Sequence, residues 1–314
     1  MSRMIRRLVV LAIVGGAGAA LACLWDSDTF AEEALTQKDV AEIVKGRIQK
    51  HSAYFYEQKV AYTKPLVEAG DAGVDRYDDL AVAYEKLGKL DEAIVVMGEK
   101  EKRFPNQYTT LANLGTFYAH KGDYPKALEL LNAAIALNPG AHFGREKYQV
   151  MAIGYLQALA KEPKLAEHKD LLGIAIDSEE RLMFGDMGKK LKGKPTGLEK
   201  AGISKDVFVA LAGIIRFGSG EKSPHIWLSL GVASALEGDR HLAIRAFFRA
   251  QELGHPRGAA LARVMSMTLK DFDGKLDVER LRKEWDKGQA EMKVLQDKED
   301  ALLAAGKQKK VFGY

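Results

Sequence analysis

The chain has 314 residues, 47% of them hydrophobic, so it is long enough to bury one extended core or two compact ones. The first 22 residues carry three arginines and no acid, and without them 44 basic and 43 acidic residues remain. This balance of interleaved charges is a poor match to a phosphate backbone, so we expect no nucleic-acid partner. The single cysteine, Cys23, excludes an internal disulfide and a cysteine-rich metal site.

The N-terminus has the pattern of an export signal. Three arginines precede an uncharged apolar run over residues 8–20, and Ala20 and Ala22 form an A-x-A cleavage site. The alternative is an uncleaved anchor over residues 8–25, which is short for a bilayer and contains several glycines. We therefore expect residues 1–22 to be removed and the mature chain to reach the periplasm or cell envelope.

The lone cysteine stands directly after the predicted cleavage site. Residues 20–23, with the sequence A-L-A-C, resemble the lipobox of bacterial lipoproteins, in which the cysteine becomes the lipidated first residue. That family prefers leucine where Ala20 stands, so a cleaved signal followed by an unmodified Cys23 is the alternative. Either way, we expect a membrane to be contacted only through this lipid or through the signal anchor.

Two successive stretches, 74–107 and 108–141, repeat one another with a period of 34 residues. The recurring pairs are Tyr84 and Tyr118, Gly88 and Gly122, Ala93 and Ala127, and Pro105 and Pro139. Glycine is expected at the end of the first helix of a repeat, and proline is expected where the second helix ends before the next repeat. The pattern resembles the tetratricopeptide repeat, a pair of antiparallel helices in which a small residue, here Gly115, lets the two helices approach closely. The resemblance implies an all-α, tetratricopeptide-like helical solenoid.

Further helices are predicted on both sides of these repeats. Residues 227–231, W-L-S-L-G, open another unit of the same kind in a different phase, so an insertion must precede it. Residues 185–202 are rich in glycine and lysine and predict a loop within that insertion. Residues 36–57 read as a helix, and residues 277–305 read as a long amphipathic helix that would cover the last hydrophobic face of the solenoid.

The predicted organisation follows from these boundaries. In chain order it is a signal peptide (1–22), an N-terminal helical segment (23–73), the repeat units with a following helix (74–160), an insertion and linker (161–203), a second repeat-like segment (204–270) and a C-terminal capping helix with a tail (271–314). Several segments, including C-L-W-D-S-D-T over residues 23–29, are similar to one group of exported bacterial tetratricopeptide proteins. That group has no established activity, so this similarity implies fold and compartment only.

Motifs for catalysis are incomplete. Residues 188–194 imitate a phosphate-binding loop, but Pro195 stands where a hydroxyl must bind magnesium. No two of the seven histidines lie three or four residues apart, and no G-x-S-x-G sequence occurs. We therefore predict no metal, no cofactor and no catalysis. The alternative is an enzyme or enzyme subunit with a site between the repeats and the 185–202 loop.

The remaining function is binding of a protein or peptide partner in the groove of the solenoid. The resemblance implies that contacts come from fixed positions of the first helix of each unit. These are Asp75, Asp78, Asp79, Val82 and Glu85 in the first unit, Thr109, Ala112, Asn113, Thr116 and His120 in the second, and Phe143, Glu146 and Lys147 in the following helix.

Some tetratricopeptide proteins hold a C-terminal carboxylate in a clamp of lysine, asparagine and arginine side chains. Asn113 and Lys147 fit that clamp, but Asp78 and Val82 stand where its first lysine and asparagine belong. Since an aspartate repels a carboxylate, we predict that the groove rejects acidic C-terminal tails and suits a basic or apolar segment. The alternative is that these acids only solubilise an exposed helix.

Overall fold

The computed structural model describes residues 24–27, 37–70, 72–140, 144–177, 196–267 and 275–313. Across these ranges the chain is helical and contains no strand, which confirms the predicted all-α class. The helices are α1 (Gln37–Ile43), α2 (Ala53–Glu68), α3 (Val74–Lys86), α4 (Leu90–Arg103), α5 (Tyr108–His120), α6 (Tyr124–Leu137), α7 (Arg145–Lys161), α8 (Leu165–His168), α9 (Gly197–Lys200), α10 (Asp206–Phe217), α11 (Pro224–Glu237), α12 (Arg240–Glu252), α13 (Gly258–Ser266), α14 (Val278–Ala304) and α15 (Gln308–Phe312).

Helices α3 and α4, and likewise α5 and α6, form the two helix pairs that the 34-residue period predicts. A Cβ atom placed on Gly115 of α5 would lie 2.7 Å from Cγ of Leu131 and 3.3 Å from the carbonyl oxygen of Ala127, both on α6. Gly88 and Gly122 follow α3 and α5 with φ of +75° and +81°, the left-handed conformation that ends a helix. The scaffold roles assigned to these glycines are confirmed.

A third helix pair is divided by the insertion. Helix α7 packs against α10, although the residues between them include α8 and α9. Arg145 of α7 is buried against Gly213 of α10 and lies over the ring of Phe217, with the guanidinium carbon 5.2 Å from the ring centre. The insertion therefore falls between the two helices of one unit. Most of the predicted 185–202 loop lies outside the described residues.

The N-terminal and C-terminal parts of the described chain pack together. The helix predicted over residues 36–57 is wrong in extent, because α1 ends at Ile43 and α2 begins at Ala53. The break contains Gly46, whose φ is +86°, and the backbone of Lys45 and Gly46 approaches Gly288 of α14 so closely that a Cβ there would clash. Helix α14 confirms the predicted long helix, and it joins α12 to α2 through the Arg245–Glu284 ion pair and the Ser52–Asp300 hydrogen bond.

Within the described ranges, no helix combines the length and the apolar character that crossing a membrane requires. The predicted signal peptide and Cys23 lie outside the described residues.

Candidate functional site

The groove of the solenoid is the surface lined by the first helices of the repeat units, α3, α5 and α7. Residues 24–27 lie across it. Asp79 on α3 and Asn113 on α5 occupy the same position in their repeats, 34 residues apart, and both hydrogen-bond to residues 24–27. The segment therefore contacts two successive repeat units, with a bend at Asp26 and helical backbone at Ser27.

Asn113 holds the backbone of Trp25 through two hydrogen bonds. The Trp25 N–H donates to Asn113 Oδ1 at 2.8 Å, and the Trp25 carbonyl oxygen accepts from Asn113 Nδ2 at 2.9 Å. Asn113 is itself fully buried, so these bonds form away from bulk water. Because both bonds involve only the peptide backbone, this contact does not depend on which side chain stands at position 25.

Polar side chains hold the next two residues of the segment. The Ser27 N–H donates to Asp79 Oδ1 at 2.9 Å and its hydroxyl donates to Asp79 Oδ2 at 3.0 Å. The Asp26 carboxylate lies 3.6 Å from Lys59 Nζ, and that buried ammonium also lies 3.3 Å from Asp79. Arg76 adds a second cation to Asp79 at 2.9 Å. The groove thus holds an acidic side chain by means of a buried lysine.

Asp78 does not offer a negative charge to the groove, so that part of the sequence prediction is wrong. Its carboxylate is 1% exposed and accepts from Lys100 Nζ at 2.6 and 2.7 Å. Lys100 also donates to Thr109 Oγ1 at 2.6 Å, and Asn113 Nδ2 lies 3.1 Å from Asp78 Oδ1. Burial raises the pKa of Asp78 to about 6, opposed by Lys100. Asp78 therefore orients Asn113 and is neutralised by the second helix of its own repeat.

Glu85 and His120 are paired with each other across the first two repeats. His120 Nδ1 lies 2.8 Å from Glu85 Oε1, and His120 Nε2 lies 3.3 Å from the Ser219 hydroxyl. Burial opposes ionisation of Glu85, but Lys86 and His120 outweigh it and lower the pKa of this carboxyl. Glu85 is therefore a charged acid at neutral pH, and it lies beside Lys86 and His120.

A cavity of about 480 Å³ adjoins the bound segment. Its wall combines residues from α3, from the segment before α2 and from the segment after α10, among them Asp26, Lys50, Val82, Glu85, Lys86 and Glu221. Lys50 forms an ion pair with Glu221, and Lys86 Nζ donates to the Phe217 carbonyl oxygen at 3.0 Å. Burial, together with the nearby cations Lys222 and Lys86, lowers the pKa of Lys50 to about 8. The cavity is consequently polar and has charges of both signs.

The other predicted contact residues divide into exposed and buried sets. Asp75 and Lys147 are exposed. Val82 packs in the core of the first two repeats, Thr116 is buried and accepts from Gln149 Nε2 at 3.0 Å, and Glu146 is buried. Phe143 lies outside the described residues. Burial does not by itself exclude a residue from the groove, because Asn113 and Asp79 are also buried and yet bind residues 24–27. Contact of Asp75 and Lys147 with a partner stays a prediction.

Sequence reasoning missed both the occupant of the groove and its buried cations. The sequence patterns give residues 24–27 no place in the groove, and they give Lys59 and Lys100 no role. The repeat period itself could have indicated this site, because Asp79 and Asn113 occupy the same position in successive repeats. Among the residues the structure describes, no three histidine, cysteine or carboxylate side chains are grouped as metal ligands.

Comparison with known families agrees with the geometry. The family model described as Tetratricopeptide repeat matches residues 108–141, which comprise α5 and α6. Residues 108–141 are therefore a tetratricopeptide repeat, and over the described residues the chain is an all-α helical solenoid that resembles this repeat. A tetratricopeptide repeat supports a role in protein–protein interaction in general. No curated protein matches the chain.

Proposed function

We propose that the chain is a non-catalytic scaffold or adaptor that is exported to the cell envelope and holds an extended segment of another polypeptide in its groove. The observation that carries the proposal is the pair of hydrogen bonds between the Asn113 side chain and the backbone of Trp25. A groove that binds peptide backbone is suited to a polypeptide ligand.

The composition of the groove supports the same proposal. Its polar side chains are engaged in positioning one another, as the Lys100–Asp78–Asn113 chain of contacts illustrates. Its exposed members, Asp75 and Lys147, lie on the first helices of two different units. A partner of several residues would therefore be contacted by more than one repeat.

Photocrosslinking in intact cells tests partner binding. A photoreactive phenylalanine analogue at Asp75 or Lys147 is expected to form a covalent adduct with one polypeptide, which mass spectrometry identifies. The same analogue at Val95, which is 59% exposed on the second helix of the first unit, is the matched control and is expected to give no such adduct. Equal adducts at all three positions, or none at Asp75 and Lys147, would contradict a groove-bound partner.

The export half of the proposal makes a separate prediction about the N-terminus. The mature protein isolated from its native host is expected to begin at Cys23, because the cleavage pattern A-L-A directly precedes it. Intact-mass measurement and N-terminal sequencing decide this. A chain that still starts at Met1 would contradict export, whereas an unacylated Cys23 would contradict only lipid attachment.

A further inference from the structure

Residues 24–27 make the contacts that an external peptide would make in this groove. Trp25 uses its backbone N–H and carbonyl oxygen, Asp26 faces Lys59 and Ser27 is held by Asp79. Leu24 is 1% exposed and packs in the hydrophobic core of the first two repeats. The segment therefore presents four consecutive features, an apolar side chain, a backbone clamp, an acid and a hydroxyl.

Departure of this segment would remove the carboxylate of Asp26 but would still leave a carboxylate beside Lys59. When Asp26 leaves, Lys59 still lies 3.3 Å from Asp79, so the buried ammonium keeps a carboxylate beside it. Asp79 likewise keeps Arg76 at 2.9 Å. A buried charge without any counterion would make release very costly, and Asp79, which Lys59 and Arg76 then share, reduces that penalty.

Space beyond the segment favours a longer ligand. Asp26 borders the cavity of about 480 Å³, whose wall also includes Lys50 and Glu221. A peptide that replaces residues 24–27 would be able to continue into this cavity and contact wall residues such as Lys50 and Glu221 in addition. A longer ligand thereby gains contacts that allow it to compete with a segment held at high local concentration.

We propose that residues 24–27 are a built-in competitor for the groove, and that a partner binds by replacing them with a short segment of the order apolar, aromatic or other large residue, acid, hydroxyl. This inference rests on the proposed function and names the chemistry of its ligand. Lys59 selects the acid, and Asp79 selects the hydroxyl and the backbone N–H of the residue that carries it. Because Asp26 lies against a cation, an acidic partner segment suits this groove better than a basic one.

The test uses the full chain and a fluorescent peptide that copies residues 24–30, L-W-D-S-D-T-F. The double substitution Asp26→Lys and Ser27→Ala releases the chain's own segment, since it places a cation beside Lys59 and removes the hydroxyl bound to Asp79. We expect the peptide to bind this variant at least about tenfold more tightly than the unsubstituted chain, as removal of a tethered competitor predicts. Fluorescence anisotropy measures both affinities, and Glu92→Lys, an exposed charge reversal on α4, is the control that leaves the affinity unchanged.

Peptide chemistry then identifies the site without altering the protein. N-methylation of the tryptophan nitrogen removes the donor to Asn113 Oδ1, and this peptide is expected to bind the released variant at least about tenfold more weakly. Asn113→Ala in the released variant should weaken binding of the unmodified peptide in the same way.

Three outcomes would overturn the inference: equal affinity of the peptide for the unsubstituted chain and the released variant, no saturable binding to either protein, or binding that is insensitive to N-methylation. If a photocrosslinked partner is found at Asp75 or Lys147 while the peptide experiment fails, only this inference is contradicted and the proposed function stands. If no adduct forms at either position, the proposed function itself is contradicted.

Discussion

Gly115→Leu is expected to destabilise the protein by about 3 kcal/mol, the upper part of the range for overpacking a close contact. Even a Cβ atom at this position would lie 2.7 Å from Leu131 Cγ and 3.3 Å from the Ala127 carbonyl oxygen. A leucine side chain adds three further carbon atoms, so α5 and α6 must move apart. The midpoint and slope of urea denaturation, followed by circular dichroism, measure the loss.

Gly98→Leu is the matched control for this prediction. Gly98 lies within helix α4, and a Cβ atom placed there would meet no other atom within 4 Å. Replacing glycine by leucine in an open helical position favours the helix by roughly 0.5–1 kcal/mol, so this variant is expected to be unchanged or slightly more stable. If Gly115→Leu and Gly98→Leu gave the same denaturation midpoint, the close approach of α5 and α6 would be refuted.

The repeat signature predicted the fold because its residues act locally. A small residue such as Gly115 is needed where two helices cross closely, and a glycine such as Gly122 is favoured where a helix ends with positive φ. The spacing of such residues alone therefore indicates two helix pairs. The broken N-terminal helix was missed for the opposite reason. Gly46, in the break between α1 and α2, contacts Gly288 and Trp285, which lie more than 200 residues later in the chain. A local sequence pattern does not predict such a contact.

The groove was predicted in outline, but its charges and its occupant were not. Position within the repeat placed Asn113 in the groove, and the structure finds it binding a peptide backbone. The same rule assigned a free charge to Asp78, because it considers one helix at a time and Lys100 comes from the second helix of the unit. Residues 24–27 reach the groove through tertiary packing, which the repeat period does not encode.

Lys100→Met is expected to cost about 3–5 kcal/mol, the usual loss when one partner of a buried ion pair is removed. Lys100 is fully buried and its ammonium holds both oxygens of Asp78, so methionine replaces the aliphatic stem and leaves a buried carboxylate without its cation. Lys102→Met, at an exposed position of the same helix, makes the same change of side chain and is expected to shift stability by less than about 0.5 kcal/mol. Urea denaturation compares the three proteins at pH 7.

The loss caused by Lys100→Met is expected to grow as the pH rises. Burial already raises the pKa of Asp78 to about 6 from an unfolded value of 3.8, and removing the opposing Lys100 raises the folded pKa further. Between the unfolded pKa of 3.8 and the raised folded pKa of the variant, the folded variant binds more protons than the unfolded chain. The free energy of unfolding of the variant therefore decreases as pH increases through that range. The deficit should consequently be smaller at pH 5 than at pH 8, and the double substitution Lys100→Met and Asp78→Asn should recover most of it at pH 8. A deficit that is independent of pH and unrelieved in the double variant would show that Lys100 stabilises the repeat through packing of its stem and not through its charge.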